Sequence, residues 1–375
     1  MTRGAATRPP LLGILATLAG LTMITSCTTP LVPRPTQEAS CPAGWRAAVV
    51  FSSQIDTESD LAFLGPDSIL ERRRLPYQGF SPAPGSVRDQ NGTDVWLAAN
   101  GNVARDTTHL VHFSTATCGI DAFQVPEPVI RSVITTPDGG VVSSNSPVSG
   151  AEVRWRTARG TLVADTTLPD LDITAWEHHG TELIGIGTEV PTDQTVVVQL
   201  STPSLTETRR VVLPGMVSPG RGTAIIGNSL YYTESTGPGD AEGTVLAKLD
   251  LDTFVAEPVA RMGPSPFLIA QAPDSLYVAN TFVNPGFRPM AEYRTVSRFM
   301  LDTKEVTTFE VGGPLLDIAL DGDELIVAAG DEKGANVSRF DRFTGQRLGQ
   351  IHIPAPPGKL YYLANLILAP PPGQN

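Results

Sequence analysis

Short apolar runs, each opening after a turn rich in Gly, Asp, Asn or Ser, recur along most of this chain. The clearest are Asp94-Val95-Trp96-Leu97-Ala98-Ala99-Asn100, Glu182-Leu183-Ile184-Gly185-Ile186-Gly187 and Ser229-Leu230-Tyr231-Tyr232-Thr233. Ser275-Leu276-Tyr277-Val278-Ala279-Asn280 and Glu324-Leu325-Ile326-Val327-Ala328-Ala329 continue the series, with Gly140-Val141-Val142-Ser143 a weaker copy. Taking Val95, Val141, Leu183, Leu230, Leu276 and Leu325 as equivalent, the successive gaps are 46, 42, 47, 46 and 49 residues. Each copy leads into a second strand, as at Thr244 to Asp250, Thr295 to Asp302 and Asn336 to Asp341. In the last two, apolar and polar residues alternate with the period of a half-buried strand. A turn such as Asp252-Thr253, Asp302-Thr303-Lys304 or Phe343-Thr344-Gly345 then leads to an outer strand, and a fourth strand precedes each copy, as at Pro314 to Leu320.

Four short strands in every 46 residues or so make one blade of a β-propeller. The reading is therefore an all-β fold, a propeller of about seven four-stranded blades spanning residues 41–370, with the first blade poorly marked. The abundant Gly (35) and Pro (33) suit many tight turns. A β-sandwich would not keep this period over so long a stretch. The last blade is complete by Ile353, yet Leu360 to Leu368 forms one more apolar strand. The first blade, opening at Trp45 to Val50, has no room upstream for an innermost strand. Pairing the two chain ends closes the ring and covers an otherwise open edge.

The series Leu276-Tyr277-Val278-Ala279-Asn280, Val296-Ser297-Arg298-Phe299 and Asp302-Thr303 resembles the YVTN-type, WD-like propeller repeats of exported bacterial proteins. The resemblance spans essentially the whole domain and implies a fold shared by many activities. The N-terminus carries a second resemblance. Arg3 and Arg8 precede an uncharged apolar stretch from Leu11 to Ile24, too short for a comfortable membrane span. It ends at Ile24-Thr25-Ser26-Cys27, which is similar to the lipobox of bacterial lipoproteins. That resemblance implies a signal peptide over residues 1–26, cleavage before Cys27 and acyl chains on Cys27. Two or three chains hold a protein on a bilayer stably where one does not. Residues 27–40, with Pro30, Pro33 and Pro35, read as a tether. The expected location is the extracytoplasmic face of the cell membrane, bound through lipid alone.

The net charge of −12 argues against nucleic acid and against electrostatic adhesion to anionic lipid. Of three cysteines, Cys41 and Cys118 remain once Cys27 is lipidated, and an even pair in an oxidising compartment is most simply a disulfide. The alternative is two unpaired thiols. No CxxC is present.

Candidate chemistry is sparse. His178 and His179 beside Glu177 form the one histidine cluster, at an expected hairpin turn with both rings in solvent. Adjacent strand residues point to opposite faces, so no metal is assigned there. His109 and His112 read as packing or edge residues. Asp317 and Asp172, on inner strands, could contribute to a ring of carboxylates at a central mouth, as in calcium-dependent propeller lactonases, but no matching set recurs in the other blades. No G-x-S-x-G elbow and no phosphate loop followed by a helix occurs. No cofactor is implied.

The leading expectation is a membrane-anchored binding or scaffolding propeller acting on a protein, peptide or glycan through its loop face. The alternative is a lactonase-like extracytoplasmic enzyme with a metal in the central channel. The candidate contact surface is the long connection from Thr281 to Arg294, with Phe282, Phe287, Arg288, Met290, Tyr293 and Arg294. Aromatic residues, Met and Arg are enriched at interface cores. The competing reading has these aromatics folding back to cap their own blade.

Overall fold

The computed structural model of the chain describes residues 40–370, apart from 54–56, 82–86, 89–93, 102–107, 146–149, 218, 235–244, 282–293, 332 and 357–360. The described residues contain no helix and form seven four-stranded antiparallel sheets. These are the blades of a closed β-propeller. In blades two to seven the strands pair in chain order, and the first strand of each lies innermost, against its counterparts in neighbouring blades.

All six positions used to set the repeat fall on the second strand of a blade: Asp94–Ala99, Val141–Asn145, Glu182–Glu189, Ser229–Glu234, Ser275–Asn280 and Glu324–Asp331. Apart from the Ser143-Ser144-Asn145 end of the third blade's strand, their runs are largely apolar because each blade is covered on both faces by its neighbours, leaving no solvent side to require alternation. Ser275–Asn280, for instance, is buried at every residue. Val95, Val141, Leu183, Leu230, Leu276 and Leu325 all pack toward the preceding blade.

The first blade is assembled from both chain ends. Tyr362–Leu368 lies innermost, followed by Ala47–Ser52, Ser59–Leu64 and Ile69–Leu75. The C-terminal strand pairs antiparallel with Ala47–Ser52, matching Ala47 to Leu368 and Val49 to Leu366. Leu363, Leu366 and Leu368 pack with Val49 and Phe51 against Ala328, Ile351 and Ile353 of the seventh blade. Across the same seam Arg46 pairs with Asp321 at 2.5 Å and Glu324 at 3.3 Å, and Arg339 joins Glu324 at 3.1 Å.

The turn between third and outer strands repeats with the blades. Its closing residue adopts a left-handed backbone at Cys118, Gly160, Leu205, Phe254, Lys304 and Gly345. That conformation disfavours Leu, Phe and Lys, and local hydrogen bonds hold it. Asp250 Oδ1 accepts from the Asp252 amide and from both the amide and hydroxyl of Thr253, and Asp341 repeats this with Phe343 and Thr344.

Alternating strand direction sorts the loops into two faces. One carries the short hairpins that follow the inner and third strands. The other carries the connections after the second strand and the crossings between blades. Both ends of the described chain lie on the hairpin face, where the Ala369 amide donates to the Arg46 carbonyl at 2.8 Å. Cys41 is disulfide-bonded to Cys118 in the third-to-outer turn of the second blade. Arg73 reinforces the junction, donating to the Ser40 carbonyl at 2.7 Å and to the Cys118 carbonyl at 3.4 Å. The chain therefore enters the propeller at a fixed point on the hairpin face.

Candidate functional site: the channel mouth on the crossing face

Inner strands start on the crossing face and run toward the hairpin face, so their first residues ring the channel mouth. Three charged groups come from consecutive blades there. Arg131 immediately precedes Ser132–Thr135 of the third blade, with its amide bonded to the Ser144 carbonyl at 2.8 Å. Asp172 is the second residue of Leu171–His179 in the fourth. Arg221 lies in Pro219–Ile226 of the fifth.

The sequence around Arg221 explains its orientation. A Cβ on Gly220 would collide with the Thr233 hydroxyl, and one on Gly222 with the backbone of Leu268 and Ile269 in the sixth blade. Glycine inside a strand often marks such close backbone approach. Pairing with the second strand is irregular between Pro219 and Thr223, and with both glycine positions closed against these neighbours the space left to Arg221 lies toward the fourth blade. There it feels Asp172 and Arg131: its guanidinium pKa is lowered, chiefly by burial and further by Arg131, with Asp172 acting in opposition. Nη1 of Arg221 and Oδ1 of Asp172 are both buried without a hydrogen-bond partner.

Two further carboxyls line the inner strands. Asp317 is buried and accepts the Leu366 and Ile318 amides, each at 2.9 Å; desolvation pushes its pKa up to about 7. Glu177 accepts the Thr223 hydroxyl at 2.7 Å and is also pushed up to about 7 by burial. A carboxyl whose folded pKa exceeds its unfolded value of about 4 favours folding when protonated. That contribution is complete below pH ~4 and is lost as pH rises through about 7. Asp317→Asn cannot ionise; because Ile318 bonds to Oδ1 and Leu366 to Oδ2, it keeps an oxygen for one amide only, a cost that is the same at every pH. Its melting temperature, relative to wild type, should climb between pH 5 and pH 8, and a constant difference would show that the Asp317 carboxyl is not perturbed.

The histidine cluster needs a correction. His178 and His179 are not turn residues in solvent; they end the strand Leu171–His179, and the turn is left to Gly180 and Thr181. His178 is half-buried, with a hydrogen bond to the Thr135 backbone and Nε2 buried without a partner; burial lowers its pKa. Strand pairing continues to His179–Glu182, which places the His178 ring against the third blade instead of in water. His112 packs on Trp96 with centroids 4.9 Å apart and meets Asp94 at 2.9 Å, while His109 lies beside Tyr77. Both are packing residues, as expected. Among the described residues no three His, Cys, Asp or Glu side chains form a group able to hold a metal ion.

Cys27 and the loop residues Phe282, Phe287, Arg288, Met290 and Tyr293 lie outside the described residues. Arg294 is exposed at the start of the third strand of its blade, and its carbonyl accepts the Val311 amide at 2.7 Å. The second strand ends and the third begins on the crossing face, where Thr281 is buried, with its hydroxyl on the Leu315 carbonyl at 2.6 Å. The sequence reading passed over Arg131 and Arg221, though glycine on both sides of an arginine within a strand was a visible signal.

No family model matches the chain, and no curated protein matches it. Solved structures do. A functionally unknown protein from Desulfotomaculum acetoxidans aligns with a TM-score of 0.60 at 15% identity, over 87% of this chain and 99% of that one. A putative 6-phosphogluconolactonase from Bacteroides uniformis aligns with a TM-score of 0.60 at 12% identity, over the same shares. Kuenenia stuttgartiensis hydrazine synthase aligns with a TM-score of 0.52 at 13% identity, over 69% of this chain and 77% of that one. At these identities the likeness is one of fold alone.

Proposed function

We propose that this protein is a bacterial lipoprotein, held by acyl chains on Cys27 at the extracytoplasmic face of the cell membrane, whose propeller binds a protein, peptide or glycan through its crossing face. The lipobox-like Ile24-Thr25-Ser26-Cys27 and the likeness to YVTN-type repeats of exported proteins support this reading. So does the Cys41–Cys118 disulfide, since such bonds persist in oxidising compartments. The observation that carries the orientation is the chain's entry point: Cys41, bonded to Cys118, and Ser40, held by Arg73, fix the end of the tether on the hairpin face. An anchor attached there leaves the crossing face, with its longest connections, directed away from the bilayer.

The test expresses the full chain in a bacterial host and follows its partition into a detergent phase. Wild type is expected in the detergent phase and Cys27→Ala in the aqueous phase; wild type in the aqueous phase would end the anchor reading. Capture from native membranes, repeated with residues 282–293 replaced by a Gly-Ser linker, reads the binding face. A partner retained after that replacement would move the contact surface away from the loop.

A further inference from the structure

We propose that the channel mouth on the crossing face binds a small carboxylic acid, its carboxylate held by Arg131 and Arg221 and a neighbouring hydroxyl or ammonium group held by Asp172. This deepens the reading of the crossing face as the binding face and rests on it. Several arginines elsewhere in the described structure are matched to carboxylates, among them Arg46 to Asp321, Arg72 to Asp60, Arg156 to Glu127 and Arg342 to Asp274. At the mouth Nη1 of Arg221 is buried with no hydrogen-bond partner, and the exposed Arg131 of the third blade adds a second positive charge that acts on it, in a chain whose net charge is −12. Gly220 and Gly222 press against Thr233 and the sixth blade, which fixes the backbone that carries Arg221.

Each buried group also lacks a partner of a definite kind. Nη1 of Arg221 needs an acceptor and Oδ1 of Asp172 needs a donor. A buried polar atom left unpaired costs free energy that a ligand supplying the partner recovers. The guanidinium fork matches the planar geometry of a carboxylate. The charge balance selects among oxyanions, since two arginines and one aspartate leave a single positive charge, suited to a monoanion and not to a phosphate dianion. A hydroxy acid or an amino acid presents acceptor and donor on adjacent atoms, as this pair of unmet groups requires.

The test titrates the full chain in detergent micelles with glycolate and with acetate at constant ionic strength, by calorimetry at millimolar ligand. Glycolate should bind saturably, and acetate about tenfold more weakly. Arg221→Gln should weaken glycolate about tenfold or more without lowering the melting temperature of the ligand-free protein, whereas a purely structural arginine would lower it. Asp172→Ala should bring glycolate down to the level of acetate. No saturable binding of either acid, or glycolate binding unchanged in Arg221→Gln, overturns the proposal; equal binding of both acids in wild type overturns the role of Asp172. Partner capture separates this from the broader reading. A partner captured by a wild-type chain that shows no saturable binding of either acid removes the ligand and leaves the binding face standing. Acid binding with no partner captured does the reverse.

Discussion

Deleting residues 358–375 should abolish folding of the propeller. The deletion removes the inner strand of the first blade and with it the buried side chains of Leu363, Leu366, Ile367 and Leu368. At about 1.5–3 kcal/mol for each large apolar side chain, the loss rivals the whole stability of a typical domain, about 5–15 kcal/mol. It also exposes the backbone edge of Ala47–Ser52, takes the Leu366 amide from the buried Asp317 carboxylate and removes the Tyr362 hydroxyl from the Phe80 carbonyl, bonded at 2.8 Å. Circular dichroism and thermal melting read the result, and a cooperative melt at the wild-type temperature would refute ring closure by this strand. Ile367→Ala offers a graded version, with an expected cost of about 2–5 kcal/mol in chemical denaturation.

Glu127→Ala should be nearly as damaging from a single side chain. Glu127, in the crossing between the second and third blades, is 2% exposed and pairs with Arg156, 4% exposed, at 2.6 Å and with Arg154 at 3.0 Å. Arg156 also donates to the Ser143 hydroxyl at 3.1 Å. Removing the carboxylate strands a buried guanidinium, for which the expected cost is about 3–5 kcal/mol. The double variant Glu127→Leu with Arg156→Leu should recover most of that stability or exceed wild type, because a buried ion pair is often no better than apolar packing of similar volume. The repeat supplies the geometric reason. Arg156 lies opposite Val141, where other blades pair Val95 with Phe113, Leu183 with Leu200, Leu230 with Leu249, Leu276 with Phe299 and Leu325 with Phe340. Urea midpoints of the single and double variants give the answer; a single variant within about 1 kcal/mol of wild type would mean that the pair is hydrated in solution.

That substitution also accounts for the weak repeat copy in the third blade. The rung that is apolar elsewhere holds an ion pair there, so the pattern fades although the sheet is complete. The first blade fades for a different reason. Its inner strand comes from the other end of the chain, which strand counting revealed and local pattern could not. The Cys41–Cys118 pairing was legible by elimination, given an oxidising compartment.

The chain by itself determined the propeller, its strand order and its closure. Blades buried on both faces need continuous apolar runs at a regular spacing, and that spacing is local and periodic. It did not determine what meets at the channel mouth or between blades. Arg131, Asp172 and Arg221 come from three blades, and Glu127 and Arg156 from a crossing and a strand 29 residues apart. Their electrostatics depend on burial and on neighbours brought close only when the ring forms. His178 is the same case on a smaller scale: two further residues of strand pairing took its ring out of water and set it against the third blade.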